Sequence, residues 1–507
     1  MLRLWFLFCV VVSDEKIRIR LSGGEIEGRL NGEVMVFQQI PFLEPPVGAL
    51  RFEPPVTKRS WSGVLNTTQW GPPCAQKSYF TFLPLNDSRE DCLHMNVFAD
   101  RRCLDSPCPI IYYVHGGGYH FDSPTMFNET EIVNKIAAHR TVFVMPSYRL
   151  GLFGWIDLEG VRPNLGLLDL IAGVRWCQSE LASFGGDTRQ MTIFGSSAGG
   201  SLVLALLSSP FIERSAFKRA VVSSGMLRLQ PHINRPMTLA VLNYTGCVDV
   251  KCLKSKPMDE LLDAQADTEH KEWLDASVQT NTETIPLNNV LEFLANWKGI
   301  EMIFITTEVE FELADRATAL DKCEYLCDDL GYMKRETVEL CAKQYADNIN
   351  QTFRDAMHAF QVKFAALNTR LGYPTFNGLF AQPHGLRHAS DLKYLLGLHQ
   401  VKQKNRDDER MDEFYPEVVR RFVHLGAEGM KDWTPTDEWG RNFLLMKFEN
   451  TTVQPHMVNG VMYHQNETNF WIKTLKKVDE GVGAMESFAA HHSTILCLFI
   501  LFVFFFE

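Results

Sequence analysis

The sequence predicts an α/β protein with a central, mostly parallel sheet flanked by helices, and three observations carry that prediction. Short apolar runs rich in β-branched and aromatic residues lack the alternation of a half-exposed strand. Apolar residues at three- and four-residue spacing follow these runs, so strands alternate with helices. At residues 191–207 a strand-like run, a serine between glycines and a helix-like run succeed one another without a break.

The first run is Pro109 to Val114 (PIIYYV) and the second Thr141 to Met145 (TVFVM), each the pattern of a strand buried on both faces. Leu167 to Ala182 and Ser201 to Leu207 are the helices that alternate with them. Before these elements lies the proline-dense stretch Pro41 to Pro55, which can be neither regular helix nor central strand and is expected as an ordered connection. Met258 to Leu294 and Asp321 to Phe364 are more charged and helical in pattern, and are expected as helical insertions around the working edge of the sheet.

Composition bounds the function. The 507 residues are 46% hydrophobic and 22% charged, enough apolar material for a large core, and disorder is excluded. A net charge of -11 without a long Lys/Arg run lacks the footprint that phosphate contacts require, so nucleic acid is not an expected partner. Residues 1–13 combine Arg3 with the apolar run Leu4 to Val12 and read as a secretory signal, leaving 14–480 as one large catalytic body. Seven N-x-[ST] sequons, at Asn66, Asn86, Asn128, Asn243, Asn350, Asn450 and Asn466, fit an exported, extracellular or cell-surface protein. Residues 481–507 form a spacer and tail. The apolar run Ile495 to Phe506 is too short for a bilayer span of about 20 residues, and with Gly481, Gly483 and Ala484 upstream it matches the plan of a lipid-anchor (GPI) signal.

Chemistry enters at Met191 to Gly200, MTIFGSSAGG. Its G-x-S-x-G core, Gly195 to Gly199, would hold Ser197 on a tight strand-to-helix turn, where the hydroxyl projects as a nucleophile. Upstream, His115-Gly116-Gly117-Gly118 follows the PIIYYV strand, and glycines let backbone N–H groups turn toward a developing anion. Gly117 and Gly118, with the amide of Ala198, are the expected oxyanion donors. No phosphate-loop lysine follows, which sets aside nucleotide binding.

Here the chain resembles the type-B carboxylesterase and cholinesterase family. The blocks are IPFLEPPVGALRF from Ile40, EDCLHMNVF from Glu90, YVHGGGYHF from Tyr113, SYRLGLFGW from Ser147, NLGLLDLIAGVRW from Asn164, FGGD from Phe184 and FGSSAGG from Phe194. The resemblance implies an α/β-hydrolase fold, hydrolysis of small-molecule carboxylic esters without metal or cofactor, and a Ser, Glu, His triad. It also implies disulfides Cys74–Cys92 and Cys247–Cys252. In IFITTEVEFELAD, Glu310 falls on the family's catalytic acid, with Glu308 the rival two residues away. His388, in HASDLKY, falls on the general base; His384, four residues earlier, could be half of a metal site, but Gly385 disfavours a helix between them.

The chain departs from the family pattern at Ser196, Val309 and Phe311, and between Cys74 and Cys92 it offers Tyr79, Phe80 and Phe82 but no tryptophan, so choline esters are not the expected substrate. Cys177, in an apolar helix, is expected as a buried free thiol, while the pairing of Cys103, Cys108, Cys323, Cys327 and Cys341 is open. The alternative function is a neuroligin-like surface binding protein that keeps the fold and loses the triad.

Overall fold

The computed structural model describes residues 15–77, 87–271, 276–311, 318–398, 403–450 and 452–481. The expected signal at 1–13, nearly all of the tail, Tyr79, Phe80, Phe82 and Asn86 lie outside them.

Among the described residues thirteen strands join into one sheet. In chain order they are Lys16–Arg20 (β1), Glu25–Asn31 (β2), Val34–Pro41 (β3), Val64–Asn66 (β4), His94–Asp100 (β5), Cys108–Val114 (β6) and Val142–Pro146 (β7). Gly186–Ser196 (β8), Arg219–Ser223 (β9), Glu301–Thr307 (β10), Thr375–Phe380 (β11), Phe443–Met446 (β12) and His456–Val458 (β13) complete the set. The spatial order is β1-β2-β3-β5-β7-β6-β8-β9-β10-β11-β12-β13, with β4 beside β2. From β7 to β12 every neighbouring pair is parallel, and antiparallel strands flank this centre. Together with the helices on both faces this is an α/β-hydrolase fold.

The central strands lack alternation because both their faces are covered. On β6, Ile110, Tyr112 and Val114 join a core layer that includes Leu170, Val174 and Leu202. Ile111 and Tyr113 point the other way, into a layer with Met411, Tyr415 and Phe422. Helices Leu165–Glu180 and Ala198–Ser208 supply the first layer, and helix Arg406–Leu425 the second. Asn405 caps the last of these in a reciprocal pair with Asp408, and Pro416 is accommodated within it.

The sequence blocks that carry the family resemblance are tied together by buried ion pairs. Arg149 of SYRLGLFGW grips Asp169 of NLGLLDL through Nε at 2.9 Å and a second guanidinium nitrogen at 2.8 Å. Arg51 of the proline-dense stretch pairs in the same two-pronged way with Glu90, and its remaining nitrogen donates to the carbonyls of Leu253, Lys254 and Lys256. Beyond Pro41, where β3 ends, that stretch holds a short turn of helix, Gly48–Leu50.

Among the described residues four disulfides are formed: Cys74–Cys92, Cys103–Cys108, Cys247–Cys252 and Cys323–Cys341. Cys177 and Cys327 are buried free thiols. Four bridges fit an oxidising, secretory-type compartment. Cys323–Cys341 staples helix Ala319–Asp329 to helix Arg335–Gln344 across a separation of 18 residues. Closing such a loop restricts the unfolded chain by about 3 kcal/mol. A Cys323→Ser/Cys341→Ser double variant is therefore expected to be less stable by about that much, read from the urea midpoint at unchanged slope; an unmoved midpoint would contradict it.

Among the described residues no helix is long and apolar enough to cross a membrane. Asn66, Asn243, Asn350, Asn450 and Asn466 are exposed, whereas Asn128 is half-buried and its side chain caps helix Glu129–Ile132.

Candidate active site

The three chemical side chains sit beyond the carboxyl ends of three strands close together in the sheet: Ser197 after β8, Glu310 after β10 and His388 after β11. Only β9 separates the first of these strands from the second. Parallel pairing is what collects these ends on one edge, so residues far apart in sequence converge there.

Ser197 occupies a positive-φ turn, φ 57° and ψ -131°, between β8 and helix Ala198–Ser208. That conformation is costly for a non-glycine residue and persists only where the surroundings hold it. Here the Ser197 amide donates to the Ser223 carbonyl at 2.9 Å. The flanking glycines are obligatory: a Cβ on Gly195 would lie 2.2 Å from the Gly199 carbonyl oxygen, and one on Gly199 would lie 2.1 Å from that of Val114. The turn is this tight because strand and helix pass directly against each other.

His388 Nε2 lies 2.7 Å from Ser197 Oγ, and its Nδ1 lies 2.5 Å from Glu310 Oε2. With Nδ1–H donating to the carboxylate, Nε2 is left free to accept from the serine hydroxyl. Glu310 is fully buried, and its other oxygen accepts from Ser224 Oγ at 2.5 Å and from the Thr307 amide at 2.7 Å. Burial pushes this carboxyl up, but the His388 charge, the hydrogen bonds from His388 and Ser224 and the Thr307 amide together outweigh it, and the group is held below the ordinary glutamate value. It is therefore ionised wherever His388 needs a partner.

Glu308 faces elsewhere. It pairs with His464, Nε2 to Oε1 3.4 Å, on the outer side of the same segment. His384 bonds Asp408 at 2.6 Å, and no group of three or more metal-ligating side chains occurs among the described residues.

The glycine loop runs against Ser197: a Cβ on Gly116 would come within 3.0 Å of Ser197 Cβ. Gly117 holds φ 100° and Gly118 φ 58°, backbone that glycine adopts without penalty. His115 anchors the start of the loop, its ring stacked on Tyr148 at 4.4 Å and bonded to the Gly116 carbonyl at 2.9 Å. Burial lowers its pKa to about 4, so it stays neutral and structural. Ala198 opens the helix, where the first N–H groups have no intrahelical acceptor and are available to an anion.

Behind the triad is a layer of groups the sequence reading did not single out. Ser224 is one; its only signal was a second serine after the strand run AVVS. Asp391 is another, fully buried, accepting through Oδ2 from Ser223 Oγ at 2.9 Å and from the Tyr415 hydroxyl at 2.8 Å. Its pKa is raised by burial against those two hydrogen bonds. Ser196, beside Ser197, is buried with no hydrogen-bond partner for its hydroxyl, and as a serine it puts no charge at this position.

A model of the carboxylesterase family matches residues 14–471. Liver carboxylesterase of Sus scrofa is 37% identical over 278 residues, 50% of this chain and 48% of that protein. Carboxylesterase 1D of Mus musculus is 36% identical over 255 residues, 45% of this chain and 44% of that protein. The chain thus spans about half the length of the curated relatives it matches. Among solved structures, PNB esterase superposes with a TM-score of 0.76 at 23% identity, covering 90% of this chain and all of that one.

Proposed function

The chain belongs to the carboxylesterase family, and from that premise we propose that it is a serine hydrolase cleaving carboxylic esters through an acyl-enzyme intermediate. The observation that carries the reading is the unbroken hydrogen-bond chain from Ser197 Oγ through His388 to Glu310.

In this mechanism His388 Nε2 takes the serine proton as Oγ attacks the ester carbonyl, and Glu310 holds the imidazole in the productive tautomer and balances its charge. The amides of Gly117, Gly118 and Ala198 receive the oxyanion, in both acylation and deacylation. The alcohol leaves with the proton from Nε2, and water activated by the same nitrogen releases the acid. Substrates are small-molecule esters rather than choline esters, since Ser196 carries no charge and residues 74–92 contain no tryptophan to hold a quaternary ammonium. A complete triad argues against the non-catalytic adhesion reading. Export fits the four disulfides and the five exposed sequons, with residues 1–13 as the signal, glycans on the exposed asparagines and the apolar tail exchanged for a lipid anchor at the cell surface.

The test is labelling of the purified chain with a fluorophosphonate, followed by peptide mapping and an assay on a short-chain p-nitrophenyl ester. One label per chain on the Ser197 peptide, with turnover, is the expected result. A well-folded chain that takes no label would sink the catalytic reading.

A further inference from the structure

Resting on that reading of the triad, we propose that Phe311 is a positioning residue that sets the tilt of the His388 ring and stabilises the imidazolium formed during acyl transfer. The rings of Phe311 and His388 stack with centroids 3.6 Å apart at an interplanar angle of 30°. Phe353 meets Phe311 edge-on at 5.4 Å and 84°, so the ring that faces the histidine is itself braced by another aromatic side chain.

Two hydrogen bonds fix the ends of the imidazole, but both act in its plane, at Nδ1 and Nε2. Neither resists a rocking motion of the ring about the line that joins those nitrogens, and a contact against the face does. Phe311 can supply it reliably because it directly follows Glu310, which holds a positive φ of 48°. The backbone that aims the carboxylate at Nδ1 therefore also delivers the aromatic face, and His388 is held by two consecutive residues.

The electronic part follows from the chemical step. Ser197 Oγ bonds the carbonyl carbon, the carbonyl π pair moves to oxygen, and the hydroxyl proton passes to Nε2. The imidazole is then a cation lying over the electron-rich face of an aromatic ring. Collapse breaks the bond to the alcohol oxygen, which takes the proton back, and the charge is gone. An attraction that exists only while the histidine is charged favours the transition state over bound substrate, so it acts on kcat and leaves KM alone.

The experiment compares wild type, Phe311→Leu and Phe311→Tyr on a p-nitrophenyl ester, with the thermal midpoint of each. Leucine keeps an apolar side chain of similar bulk and removes the π face; tyrosine keeps the face. Phe311→Leu is expected to lose about 3- to 30-fold in kcat, the rate equivalent of a cation–π contact, with KM within about twofold, and Phe311→Tyr to recover most of that loss. A leucine variant with wild-type kcat, equal losses in both variants, or an effect confined to KM would each overturn the inference while leaving the triad intact. Wild-type protein that neither labels with fluorophosphonate nor turns over would overturn the triad reading itself, and this inference with it.

Discussion

Ser197→Ala is expected to lower kcat for a short-chain ester by about 10⁵- to 10⁶-fold, the loss typical when the nucleophile of a triad is removed, and to abolish fluorophosphonate labelling. The size follows from what remains. The oxyanion amides and the binding surface persist, but water would have to attack directly, without an acyl-enzyme to divide the reaction in two. Alanine suits the site structurally because the elbow is held by its glycine neighbours and by the Ser197 amide, none of which involves the hydroxyl. The thermal midpoint should accordingly change by no more than the loss of one hydroxyl's hydrogen bond. Residual turnover above about one part in a thousand of wild type, with correct folding, would point to a different nucleophile.

Glu310→Gln should cost about 10³- to 10⁴-fold in kcat, whereas Glu308→Gln should change it by less than about threefold. Both substitutions remove one negative charge from the same five-residue segment, so a general electrostatic effect would move them together. Their contacts differ. Glu310 accepts from His388 Nδ1, Ser224 Oγ and the Thr307 amide, and a glutamine turned with its NH2 toward Nδ1 would hold the histidine in the tautomer that cannot take the serine proton. Glu308 touches only His464 among the partners seen, and is a third exposed. Steady-state kinetics on the two variants decide the acid; a larger loss at Glu308 would reverse the assignment.

That contrast also marks where sequence stops being legible. The buried strands were readable because a run such as PIIYYV needs no partner to be recognised, and the observed β6 and β7 begin and end within a residue of it and of TVFVM. The elbow was readable because the clash that demands Gly195 and Gly199 is local to one turn. Glu310 and Glu308 are not separable that way: which one turns inward depends on φ at Glu310 and on His464, more than 150 residues on. Asp391 sits in the HASDLKY block, but its partners Ser223 and Tyr415 reach it only by packing between β9, the loop after β11 and helix Arg406–Leu425, so no spacing announces that contact. The same holds for Cys323–Cys341, whose pairing is set by how two helices turn back on each other, while Phe311 stood out in sequence only as a departure and acquires a role once its ring is seen against His388.

Ser197 and His388 are 191 residues apart in the chain, and Glu310 lies 78 residues before His388. Contacts of that span are the slowest kind to form. On a ribosome adding about 5–20 residues per second, Ser197 emerges roughly 10 to 40 s before His388, the base proposed to activate it. On the proposed triad, the nascent protein carries Ser197 through synthesis in an unarmed state, and any ester cleavage would switch on only when the last parallel strands dock. Appearance of fluorophosphonate reactivity is in consequence a clock for the completion of folding.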